Sequence, residues 1–77
     1  MAENKKKLID LLGAAYSCTS LGITRMEYMK DGNYDAEVVI VYGMDNHVMS
    51  EVSVSYDSGA KMIYDVVEKI EKEFVRG

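Results

Sequence analysis

The apolar positions of this 77-residue chain change their period twice, and the changes divide it into five elements. Over residues 5–19, Leu8, Leu11, Leu12, Ala15 and Thr19 recur at the spacing of one helical face, with Cys18 at its edge. Asn4 is placed to cap this helix and Gly22 to end it. Lys5, Lys6 and Lys7 oppose the helix dipole in its first turn, and Gly13 costs about 1 kcal/mol relative to alanine in its interior. Residues 23–30 then alternate, and Asp31-Gly32-Asn33 follows as a turn. Residues 35–42 are rich in β-branched side chains, and the unbroken apolar run Val38–Tyr42 predicts a central strand covered on both faces. Gly43 to Asn46 predicts a second turn. Residues 48–56 alternate again. Val48, Val52, Val54 and Tyr56 point one way, and Met49, Glu51, Ser53 and Ser55 the other.

The helical period returns over residues 59–75. Met62, Ile63, Val66, Val67, Ile70 and Phe74 form an apolar stripe, and Glu68 and Lys72 form a favourable i,i+4 pair on the polar side. Asp57 and Ser58 are its candidate N-caps. The expected fold is a single α+β domain spanning residues 1–77. Its order is αβββα, a three-stranded antiparallel meander with two helices packed on one face.

Charge changes this picture by giving the sheet a character of its own. From Glu27 to Asp57 there are seven acids and one base, net −6; residues 1–26 are net +2 and residues 58–77 are neutral. If Val52 and Val54 face the helices, the alternation puts Glu51 on the uncovered face. The same argument puts Glu37 there with Val39 and Val41, and Glu27 there if Met26 and Tyr28 point inward. Three glutamates would then cross three adjacent strands beside Val39, Val41, Met29 and Met49. Like charges directly opposite one another destabilise a sheet, so such a row implies a use for it. The residues expected to meet a partner are Glu27, Asp31, Asp35, Glu37, Asp45 and Glu51, with Tyr34 in the first hairpin as an aromatic anchor. Tyr64 lies off the stripe of the last helix and is expected to be exposed; Tyr42 and Tyr56 are expected in the core with their hydroxyls at its rim.

Other chemistry is sparse. His47 is the sole histidine, beside Asp45 and Asn46 in a turn, with neither HxH nor CxxC spacing nearby, and it reads as an exposed turn residue. Cys18 is the sole cysteine, so no intramolecular disulfide forms, which fits a reducing compartment; it reads as a buried structural thiol. No phosphate-loop or dinucleotide fingerprint occurs, and Asp57 before Gly59 repels phosphate. Lys5–Lys7 is too short for a nucleic-acid patch and reads as a solvated helix start, and a net charge of −4 disfavours direct binding to a phosphate backbone. The Met-Ala-Glu-Asn start has no apolar signal core, and the longest apolar run is far too short to cross a bilayer. A cytoplasmic protein without catalysis or cofactor is expected.

In element order, and in the Ser58-Gly59-Ala60-Lys61-Met62 start of its last helix, the chain resembles the double-stranded RNA-binding domain. That family grips phosphates there with a basic cluster. A single lysine stands here, so RNA binding does not carry over. In size, acidity and topology the chain is similar to the small anti-CRISPR inhibitors encoded by phages and mobile elements. That resemblance implies a non-catalytic nucleic-acid mimic occupying a basic channel on a nuclease, with no site residues carried over. The expected partner is therefore a basic, nucleic-acid-binding protein surface. The alternative is self-association, a monomer passing to a weak homodimer through Val39, Val41, Met29 and Met49 on the sheet.

Overall fold

A computed structural model describes residues 2–31, 36–54 and 58–75. Helix α1 (Ala2–Ser17) leads into strands β1 (Arg25–Asp31), β2 (Ala36–Tyr42) and β3 (Val48–Ser53), and helix α2 (Gly59–Ile70) closes the order, running on into a π-helical turn at Glu71–Val75. The strands form one antiparallel sheet in the order β1-β2-β3. The expected α+β architecture, αβββα, is the architecture found.

Both helices cover one face of the sheet. From β1 that face receives Met26 and Tyr28, from β2 Val39 and Val41, and from β3 Val52, with Val54 just beyond; all are buried. The helices supply Ile9, Met62, Val66 and Ile70, each fully buried. On α2 these fall at the predicted four-residue spacing. The Ser58 hydroxyl accepts from the Lys61 amide at 3.1 Å, so the serine caps the helix as expected.

On α1 the inward line is the buried Ile9 and Gly13 with the half-buried Leu12 and Tyr16, so that of the predicted stripe only Leu12 is kept and the rest is one residue out of step. Leu8 and Leu11 are exposed, as is Ala15. Helix α1 starts at Ala2, so Asn4 lies within it and does not cap it. Gly13 explains the rotation. A Cβ built there would lie 2.6 Å from the Met26 backbone nitrogen, so the missing side chain lets α1 settle onto β1. Gly22, beyond the helix, has φ +86°, a conformation glycine adopts without strain.

The largest correction concerns β2. Glu37, Val39 and Val41 point toward the helices, and Val38, Ile40 and Tyr42 point away. Side chains alternate with a period of two, so one misplaced residue inverts the whole strand. A second shift lies in β3. Val41 pairs with Ser50 but Tyr42 pairs with Val48, leaving Met49 as a bulge. Val48 therefore faces outward, 46% exposed, away from Val52. Met49 folds back onto the core beside Gly43.

Candidate partner-binding face

The uncovered face of the sheet carries three cross-strand rows. Arg25, Tyr42 and Val48 form the first, Glu27, Ile40 and Glu51 the second, and Met29, Val38 and Ser53 the third. An apolar line, Val38-Ile40-Tyr42, thus runs down the central strand, with Met29 and Val48 exposed at its flanks. Glu27 and Glu51 stand on either side of Ile40, two strand spacings or about 10 Å apart. The Arg25 guanidinium lies over the Tyr42 ring, 3.8 Å from its centre, and 3.7 Å from a Glu27 carboxylate oxygen. It also donates through Nε to Asn46 Oδ1 at 3.3 Å. Tyr42 is therefore half-buried on the outer face and not a core residue.

Two of the expected acids, Glu27 and Glu51, come together on this face. Asp45 is exposed at one end of the sheet, in the turn Met44–Asn46, where it and Asn46 both adopt φ of 59°. Left-handed backbone of this kind is tolerated best, after glycine, by Asp and Asn. Asp31 ends β1 opposite Ala36. Tyr34 and Asp35 lie outside the described residues, as does Tyr56.

Glu37 does not belong to the outer face. Its side chain is 4% exposed, beneath α1. Its Oε1 accepts from Lys5 Nζ at 2.6 Å and from the Tyr28 hydroxyl. Burial pushes this carboxyl up, but the bonds from Lys5 and Tyr28 and the charges of Lys5 and Lys30 outweigh it, and the net shift is downward. Burial raises the Tyr28 phenol to about 12, helped by its bond to Glu37 and by that carboxylate's charge. A charge buried in a small core is tolerated when paired and hydrogen-bonded, and this one is both. Lys5 is correspondingly no solvated helix start; it spans from α1 to the central strand, while Lys6 and Lys7 remain exposed.

The other singled-out residues have bland surroundings. His47 is exposed beyond the turn, its amide bonded to Met44 O at 3.1 Å. Cys18 is exposed just after α1, contrary to the expected buried thiol, because the rotation of α1 carries it off the core. Tyr64 is 60% exposed, as expected, and Lys72 pairs with Glu68 at 3.3 Å. Among the described residues, no group of three His, Cys, Asp or Glu side chains is placed to hold a metal ion. No helix among them is long and apolar enough to cross a membrane.

Sequence reasoning missed the Lys5–Glu37 contact and the role of Gly13. The one available signal was a glutamate in phase with two inward valines on a strand that is apolar on both sides. No protein-family model, no curated protein and no solved structure matches the chain.

Proposed function

We propose that this chain is a non-catalytic binding domain that docks the uncovered face of its sheet on a basic protein surface. The observation that supports this reading is the second cross-strand row, in which Glu27 and Glu51 flank Ile40. Apolar contact area beside Glu51, which has no ion-pair partner among the described residues, and Glu27, which shares its charge with Arg25 alone at 3.7 Å, suits a partner that offers a groove or patch bordered by Lys and Arg. The apolar line supplies contact area, and the acids set register and speed the encounter. In its narrower form, the partner is a nucleic-acid-binding enzyme, such as a CRISPR nuclease met by a phage-encoded inhibitor. There the carboxylates of Glu27 and Glu51, with Asp45 at the end of the sheet, take places that phosphates would occupy.

The glutamate pair replaces the expected row of three, since Glu37 is used internally. The self-associating alternative also changes. Val39 and Val41 are fully buried beneath the helices, so the dimer surface built on them is not assembled.

The test is charge reversal. A basic partner captured on the immobilised domain is measured for affinity against Glu27→Lys, Glu51→Lys and a control, Asp10→Lys, exposed on α1. Each reversal on the sheet weakens binding and flattens its salt dependence, and the control changes neither. Unchanged affinity and salt slope in both sheet variants contradict the reading.

A further inference from the structure

The two edges of the sheet differ, and the difference says how a partner approaches. On the β1 side, α1 rests on the strand where Gly13 meets the Met26 backbone, and the groove farther along is flanked by Lys6 and by Lys30 of the strand itself. A lysine on an edge strand is a common device against strand pairing. Strand β3 has no lysine, and its bulge at Met49 lies ahead of the regularly paired stretch Glu51–Ser53. Its sequence, Val-Met-Ser-Glu-Val-Ser, contains neither a base nor a proline.

The hydrogen-bond phase of β3 shows which groups it leaves open. The Val54 amide donates to Glu37 O at 3.1 Å, so Val54 faces β2 with its backbone, and Val52 does the same two residues earlier. The N–H and C=O groups of the intervening residues, Glu51 and Ser53, point away from the sheet. Among the described residues nothing accepts from or donates to them. Beside them runs a groove of about 420 Å³ between β3 and α2, lined by Glu51, Ser53, Asp65, Glu68, Lys69 and Lys72. The charges on its α2 wall are matched along the helix: Lys61 with Asp65 at 4.0 Å, Lys72 with Glu68 at 3.3 Å, and Lys69 with Glu73 at 3.0 Å. Glu51 has no ion-pair partner among the described residues.

We infer that the free edge of β3 receives an extended segment of the partner as a fourth strand, with a lysine or arginine of that segment placed beside Glu51. This rests on the reading of the acidic open face and specifies how it is engaged. An added strand lies about 4.8 Å from β3 and exchanges backbone hydrogen bonds with Glu51 and Ser53. Its side chain opposite Glu51 projects onto the open face with Cβ atoms about 4.5–5.5 Å apart, where a cation completes the pair. Its alternate side chains enter the groove against α2, whose matched charges favour small polar residues there. The occupant is thus an extended segment alternating basic with small polar residues. A second copy of β3 does not meet this description, because it brings no cation to Glu51.

The experiment is an NMR titration of the isotope-labelled 77-residue chain with two synthetic heptapeptides, Thr-Lys-Thr-Lys-Thr-Lys-Thr and its counterpart with Glu for Lys. The lysine peptide is expected to shift the Glu51 and Ser53 amides and slow their hydrogen exchange, and to bind more tightly than the glutamate peptide. Glu51→Lys reduces or inverts that preference, by about 2–5-fold in relative affinity. Ser53→Pro removes an outward N–H without touching the ladder to β2 and abolishes the lysine peptide's effect; Glu51→Lys carries the test if the proline variant does not fold. Strand addition is overturned if neither peptide binds, if both bind equally, or if shifts fall on Ile40 and Tyr42 while Glu51 and Ser53 stay unchanged. It is equally overturned if the peptide-free protein sediments as a dimer with those amides already protected. The last two results leave the open-face reading standing, and that reading is judged separately by the natural partner's response to Glu27→Lys.

Discussion

Replacing Lys5 by Met tests the internal use of Glu37. The substitution keeps the length of the side chain and removes its charge, leaving a carboxylate 4% exposed that still accepts from the Tyr28 hydroxyl. Breaking a buried pair by removing one partner costs about 3–5 kcal/mol. Lys5 is itself 13% exposed, so some water reaches the site and the low end, about 3 kcal/mol, applies. A domain of this size has on the order of 4–11 kcal/mol in total, so the loss is a large fraction. It corresponds to a fall in Tm of roughly 12–24 °C.

The pH dependence changes sign as well. In the native chain the folded pKa of Glu37 lies below its ordinary value of 4.5. The pair's contribution is therefore fully present above about pH 4.5 and is lost as pH falls through the folded value. Without Lys5, burial prevails and the folded pKa rises above the unfolded one. Lys5→Met then gains stability as pH is lowered from 7 toward 4.5, and the native chain does not. Urea unfolding followed by circular dichroism at several pH values reads both effects as shifts in midpoint at constant slope. The double variant Lys5→Met/Glu37→Gln restores most of the loss, because the amide still accepts from Tyr28 and carries no charge. A Lys5→Met protein within about 0.5 kcal/mol of the native chain at pH 7, with the same pH profile, refutes the reasoning.

Further outcomes follow from the same packing. Gly13→Ala destabilises by about 1–3 kcal/mol despite alanine's higher helix propensity, because its Cβ would stand 2.6 Å from the Met26 nitrogen; thermal melts against an exposed control, Ser20→Ala, check this. Tyr28→Phe costs about 1.5–3 kcal/mol for a lost bond to a charged group, and in alkaline absorbance titration it removes the phenol that ionises near pH 12. Ser58→Ala removes the cap on α2 and costs about 1 kcal/mol in urea midpoint, leaving the slope unchanged.

The element order was legible because each period is strong where it occurs: the four-residue spacing of Met62, Val66 and Ile70, and the β-branched run of β2. What resisted was phase. Val38 to Tyr42 is apolar on both sides, so only Glu37 could orient the strand, and an acid reads as outward unless its cation is known. That cation, Lys5, is 32 residues away and belongs to a run that looks solvated. The same local ambiguity affects α1, where Leu8, Leu11 and Ala15 make as regular a stripe as the inward-facing Ile9, Leu12 and Tyr16. Gly13 decides between them through its contact with β1, which is not local in sequence. The bulge at Met49 likewise depends on register with β2. Of the acidic row, Glu51 followed from the alternation of Val52 and Val54, whereas Glu27 depended on Met26 and Tyr28 pointing inward, a condition that β1 alone left open and the burial of both residues meets.

Amide hydrogen exchange on the domain, free and bound to its captured basic partner, measures the central claim most directly. The account predicts protection confined to the sheet, at residues 25–29, 38–42 and 48–53, with α1 and the outer side of α2 unchanged. Protection confined to α1 around Leu8 and Leu11, with the sheet unchanged, contradicts it.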